Sequence, residues 1–192
     1  MTAIAEPEVI IQKISAQVPV GYLTAADLSH IDLEDVSFEI QDGALSLMPP
    51  PSIWHDATAN GIRKLLTSHH AHVGADLDLV IGENLRRPDL LGLSVSLREL
   101  LLAKATKPTL DIVEVAVEII SHDADRSKDR ISVRRDRETK FHEYAAAGIP
   151  EYWIVDEVPD DPLDASVEMY QLKDGAYVPI RVVRLSELLS QA

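Results

Sequence analysis

A chain of 192 residues with 46% hydrophobic content can bury one sizeable core, and its length favours a single domain. It has no cysteine, which excludes a disulfide framework, a thiolate metal site and a cysteine nucleophile. Its net charge of −14 argues against broad attraction to nucleic acid. No segment approaches the ~18 apolar residues of a membrane span, and the first twenty residues lack a basic opening followed by an apolar stretch, so a cytoplasmic location is expected.

Residues 1–21 have no sustained period and read as a partly ordered arm, leaving 22–192 as one domain. Thr24 followed by Asp27 can cap a short helix through His30. Val36 to Ile40 and Ala44 to Met48 flank Asp42-Gly43, the signal of a tight hairpin, with Glu39 on its first strand. Pro49-Pro50-Pro51 ends that hairpin, because residues without backbone donors cannot join a ladder. Apolar or small residues from Trp54 to His72 recur at helical spacing, with His55 near the start. Asp76 to Ile81 and Asp89 to Val95 read as strands around a turn at Gly82 to Pro88, and Leu97 to Ala103 as a helical or irregular excursion.

Ile112 to Ile120 is β-branched and apolar on both faces, the pattern of a central strand covered on each side. Period two places Glu114 and Glu118 on one face and Val113, Val115, Val117 and Ile119 on the other. Asp136 to Ala147 reads as a helix stopped by Gly148 and Pro150. Glu151 to Asp156 is a further buried strand. Val167 to Leu172 and Tyr177 to Val182, joined at Asp174-Gly175, form a second hairpin before a short helix at Leu185 to Leu189. This order predicts an α+β mixed sheet with helices packed against it.

A carboxylate within so apolar a strand is costly unless it is paired or holds a metal, which makes Glu118 the leading candidate for chemistry. Asp89, after Pro88, supplies a second acid near the end of another strand. Mg2+ needs only one or two carboxylates. Lys140 shares a helical stripe with Tyr144 and Ala147 and so leans inward, where a lysine can steady a nucleophile or a charged transition state. The competing readings are a turn-closing role for Asp89 and a structural ion pair of Glu118 with Arg87 or Lys140. Between Arg126 and Lys140 seven basic residues face three acids, a local +4 that leaves −18 for the remainder. This strip can meet a phosphate backbone or be a solvated helix face. Its Asp123 to Asp136 portion is the one candidate for disorder.

The chain resembles the Uma-type restriction endonuclease family of the PD-(D/E)XK nuclease-like superfamily. The landmarks are Phe38-Glu39-Ile40-x-Asp42-Gly43-x-Leu45, Met48-Pro49-Pro50-Pro51-Ser52 with His55, Arg86-Arg87-Pro88-Asp89-Leu90, Val117-Glu118-Ile119-Ile120-Ser121, and Lys140-x-x-x-Tyr144-Ala145-x-x-Gly148-Ile149-Pro150-Glu151-Tyr152-Trp153-Ile154-Val155-Asp156. They cover roughly residues 22 to 182. The resemblance implies a restriction-endonuclease-like core with an N-terminal and a C-terminal hairpin, and a Mg2+ site, with Mn2+ as a substitute, in which Asp89 and Glu118 are the ligands. It further implies Lys140 as a lysine displaced onto the following helix, because Ile120 stands two residues after Glu118 where the superfamily usually has it. Glu39 matches an accessory acid, with His55 in support. The expected activity is hydrolysis of DNA phosphodiesters, with no organic cofactor or membrane. A homodimer suits a reaction that cuts two strands. The alternative is a catalytically idle relative that serves as a regulatory or protein-interaction module. One departure stands out: the stretch from Ser121 to Lys140 is longer than the family pattern predicts.

Overall fold

The structure, a computed structural model, describes residues 23–27, 37–48, 50–122 and 126–191. The arm expected over 1–21 and the end of the helix expected at His30 lie outside the described residues, although Thr24 donates from its amide and hydroxyl to Asp27 Oδ2 at 2.8 and 2.7 Å. In chain order the elements are β1 (Phe38–Gln41), β2 (Ala44–Leu47), α1 (Ile53–Thr67), β3 (His72–Ala75), β4 (Leu79–Ile81), β5 (Asn84–Arg86), β6 (Leu90–Leu93) and α2 (Leu97–Leu102). They continue with β7 (Val113–Ile119), α3 (Arg126–Arg134), α4 (Lys140–Ala146), β8 (Glu151–Val158), β9 (Asp161–Lys173), β10 (Ala176–Arg184) and α5 (Leu185–Ser190). The chain forms two compact units, one reaching Pro50 and including Asp78–Arg87, the other made of Pro51–Leu77 and Pro88 onward.

The first unit is an antiparallel sheet in the order β2-β1-β5-β4. Its first hairpin turns as expected at Asp42 and Gly43, whose φ angles of 49° and 78° are the pair a two-residue turn of primed type requires. The region read as one strand and a long turn is instead a second hairpin, β4 and β5, turning at Gly82. Three residues suffice for β5 because Leu85 lies opposite Ile40 and joins Phe38 and Ala25 in the core of this unit. Glu39 and Arg86 are fully buried and paired at 3.5 Å, and Glu39 Oε1 also accepts the Arg87 amide at 3.1 Å.

The second unit carries a six-stranded sheet in the order β10-β9-β8-β7-β6-β3, antiparallel except where β7 meets β8. A parallel pair needs a crossover, and the segment between Ser121 and Pro150 supplies it. Helix α1 stops at Thr67, five residues short of the expected end, because the Ser68 amide and hydroxyl both return to the Leu65 carbonyl, at 3.3 and 2.7 Å. His72 therefore begins β3, which adds to β6 at the sheet edge. On one face of the sheet Val115, Val117 and Ile119 pack with Ile62, Leu65 and Leu66 of α1 and Leu185 of α5.

The opposite face carries an aromatic layer. Tyr144 meets Tyr152 edge-on at 5.3 Å, Tyr152 stacks on Tyr177 at 5.6 Å, and Phe141 closes on Tyr170 at 5.0 Å. The stretch considered for disorder is helical from Arg126. His122 bridges Asp129 of α3 and Asp156 of β8 at 2.8 Å each, and Arg137 bonds Asp156 and Glu168, so the crossover is tied to the sheet at several points. Between α3 and α4, Arg135–Thr139 forms one wider π turn.

Tyr152 is fully buried and donates to the Asp136 carbonyl at 2.8 Å. Tyr152→Phe loses one neutral hydrogen bond and is expected to cost about 1 kcal/mol in urea unfolding. Tyr152→Ala also removes the packed ring and should cost about 3–5 kcal/mol.

Candidate active site

Glu118 is on β7, on the face opposite Val117 and Ile119, and its side chain is only 3% exposed. Both of its oxygens are engaged: Oε2 accepts Lys140 Nζ at 2.8 Å and Oε1 accepts the Tyr144 hydroxyl at 2.8 Å. Lys140 opens α4 and is fully buried, so this is an interior ion pair between strand and crossover helix. Four residues earlier, the buried Asp136 places Oδ1 at 3.4 Å from the same ammonium. Arg135 Nε donates to that oxygen at 3.0 Å. Buried charge is tolerated only where such partners converge.

Asp89 stands immediately before β6. Leu90 lies opposite Val117, so Asp89 falls level with Glu118 on the neighbouring strand. Its Oδ2 accepts the Ile119 amide at 2.6 Å, which fixes the carboxylate beside the residue after Glu118. Its Oδ1 lies 3.1 Å from His55 Nε2. His55 is brought there by the start of α1, where Ser52 caps the helix by accepting the His55 amide at 3.1 Å. Burial opposes a charged imidazole, but the bond to Asp89 and the charges of Asp89, Asp76 and Asp56 outweigh it, raising the His55 pKa above the ordinary 6.5.

Of the residues singled out in the sequence, Asp89, Glu118, Lys140 and His55 are all in the second unit, in two bonded pairs. Glu39 is in the first unit, committed to Arg86 and the Arg87 amide. Glu114, on the same face of β7 as Glu118, pairs with His70 at 2.7 Å. Ile120 is fully buried. Sequence reasoning missed Asp136, although its spacing of four from Lys140 was the available signal. In the sequence its charge stands only as an offset to the basic strip. Part of that strip is used internally: Arg135 pairs with Asp136, and Arg137 with Asp156 and Glu168. Arg126, Arg130 and Arg134, four apart along α3, are exposed.

Among the described residues, no group of three or more His, Cys, Asp or Glu side chains converges as a metal site. The donor chemistry still fits Mg2+, which takes hard oxygens, needs one or two carboxylates and keeps waters for its remaining positions. Asp89 and Glu118 are two such carboxylates at one level of adjacent strands.

Residues 25–192 match the family model described as "Putative restriction endonuclease" (Uma2). The chain belongs to this family. No curated protein matches it in sequence. A solved structure described as a "putative nuclease belonging to DUF820 from Anabaena variabilis ATCC 29413" superposes with a TM-score of 0.55. The two share 16% identity over 88% of this chain and 98% of that one. At that identity the likeness shows a common fold, the restriction-endonuclease-like mixed sheet expected from the sequence. No described helix is long and apolar enough to cross a membrane.

The raised His55 pKa gives a signed pH effect. The charged pair with Asp89 stabilises the fold fully below the ordinary histidine value, and that contribution is lost as pH rises through the raised value. The melting-temperature gap between wild type and His55→Asn should therefore be wider near pH ~5.5 than near pH ~8.5. His122, also raised by Asp156 and Asp129 against the opposing effect of its burial, is common to both proteins and drops out of the difference. An equal gap at both pH values would contradict the pairing.

Proposed function

We propose that this chain is a Mg2+-dependent endonuclease that hydrolyses DNA phosphodiesters, with Mn2+ able to substitute. The observation that carries the reading is the buried Glu118–Lys140 pair with Asp89 level beside it. Glu118 and Lys140 are brought into the interior from a strand and a helix, with the partly buried Asp89 beside them, a costly arrangement for structure alone. Asp89 and Glu118 would hold the metal, which when bound supplies Lewis-acid stabilisation of the phosphate and a more acidic water.

The protein's own groups have separate tasks. Lys140 presents an ammonium where negative charge develops on the phosphoryl oxygens. His55 and the Ile119 amide hold Asp89 in one orientation. Tyr144 does the same for Glu118. Arg126, Arg130 and Arg134 form a basic stripe on α3 suited to a phosphate backbone, which answers the objection from a net charge of −14. A homodimer would supply the second cut of a duplex.

A second reading, an idle fold relative acting as a regulatory or protein-interaction module, is favoured by one observation. Both Glu118 oxygens are satisfied by protein side chains. A Mg2+ or Mn2+ titration followed by thermal shift separates the two. Saturation at about 100 times Kd should stabilise the wild type by about 2.7 kcal/mol, with the shift lost in Asp89→Ala and Glu118→Gln, as is metal-dependent nicking of plasmid. No metal-induced shift in the wild type, or the same shift in all three proteins, would favour the idle module.

The stripe has its own test. Replacing Arg126, Arg130 and Arg134 with Glu should weaken DNA binding at every sequence tested. The slope of log K against log salt should fall by ~0.9 for each phosphate that the protein no longer neutralises. An unchanged slope would place the DNA elsewhere.

A further inference from the structure

We propose that Asp136 is a positioning residue for Lys140, the carboxylate that retains the lysine when a divalent cation engages Glu118. The inference rests on the metal-dependent reading above. Lys140 Nζ lies 2.8 Å from Glu118 Oε2 and 3.4 Å from Asp136 Oδ1, and all three side chains are within 3% of full burial. Arg135 neutralises Asp136 at 3.0 Å, so the cluster balances two acids with two cations, and Lys140 has a second buried carboxylate within reach at no change in net charge. Without metal, Lys140 is the cation on Glu118. A divalent ion at the same carboxylate repels that ammonium, and a buried lysine then needs another acceptor.

Asp136 is built to stay in place as that acceptor. Its carbonyl accepts the Tyr152 hydroxyl from the sheet at 2.8 Å, and Arg135 Nε holds its Oδ1 at 3.0 Å. It also lies in the π turn that ends where the Lys140 amide donates to the Arg135 carbonyl, five residues back. Such single wide turns recur at functional sites because they re-aim side chains on an otherwise regular helix. Here the turn carries Asp136, and α4, which begins directly after it, carries the lysine and Tyr144. Asp136 thereby governs metal affinity without touching the metal: it lowers the penalty of moving Lys140 off Glu118.

The test is Mn2+ affinity, read from the electron paramagnetic resonance of free Mn2+, in wild type, Asp136→Asn, Lys140→Met and the double variant. Asp136→Asn should weaken binding by up to ~10-fold, the low end of what loss of a partner bonded directly to a ligand costs. Lys140→Met should tighten it, and Asp136→Asn should have little effect once Lys140 is gone. An unchanged affinity in Asp136→Asn, or the same loss in both backgrounds, would overturn the proposal while leaving the metal site standing. Failure of the wild type to bind Mn2+ would overturn the metal-dependent reading and this proposal with it. If a variant does not fold, the wild type labelled with 15N-lysine decides. On saturation with Mg2+ the Lys140 ammonium signal should shift yet stay protected from solvent exchange. Its merging with the fast-exchanging surface lysines would show that Asp136 does not retain it.

Discussion

A carboxylate at the centre of an apolar strand has to be neutralised from within the protein, and the second unit is arranged around how this is done for Glu118. Its strand is covered on both faces, so water cannot solvate the charge. The compensation comes from the crossover helix, as an ammonium on one oxygen and a phenol hydroxyl on the other. Removing the lysine would leave Glu118 a buried charge without its cation, while Asp136 keeps Arg135, a loss of about 3–5 kcal/mol in comparable pairs. The position of the helix is therefore set by charge as well as by packing.

The two faces of β7 divide the labour. Val115, Val117 and Ile119 pack on α1 and α5 in an apolar core that needs no polar partner. The other face meets the aromatic residues of the crossover and sheet, which seal the polar cluster from solvent. The His122 and Arg137 bridges to β8 and β9 then hold the crossover over that face. A lysine delivered from a helix can be oriented as firmly as one on the strand when its helix is tied down in this way. With Ile120 filling the strand position, α4 is the element left to supply it.

Much of this was legible in the chain. The buried strand at Ile112 to Ile120, both Asp-Gly hairpins and the stop at Gly148 follow from period, β-branching and turn chemistry, each a local signal. The inward lean of Lys140 followed from its stripe with Tyr144. What the chain did not reveal was nonlocal or irregular. Strand β5 is three residues long and defined by its neighbour β1, so its sequence resembles a turn. The end of α1 depends on Ser68 folding back on Leu65, and the histidines beyond it fit a helix as well as a strand. The π turn has no periodic signature. Asp136 was obscured because a charge among arginines reads as surface, whereas three of the seven basic residues in that strip are turned to internal partners.

On the proposed reading Asp89 and Glu118 share a metal ion, and Lys140 yields its place on Glu118 to it. Crystals soaked in Mn2+ and measured at the manganese absorption edge test this most directly. An anomalous peak coordinated by both carboxylates is expected, with the Lys140 ammonium displaced toward Asp136. A map with no peak there, and Lys140 still bonded to Glu118, would contradict it.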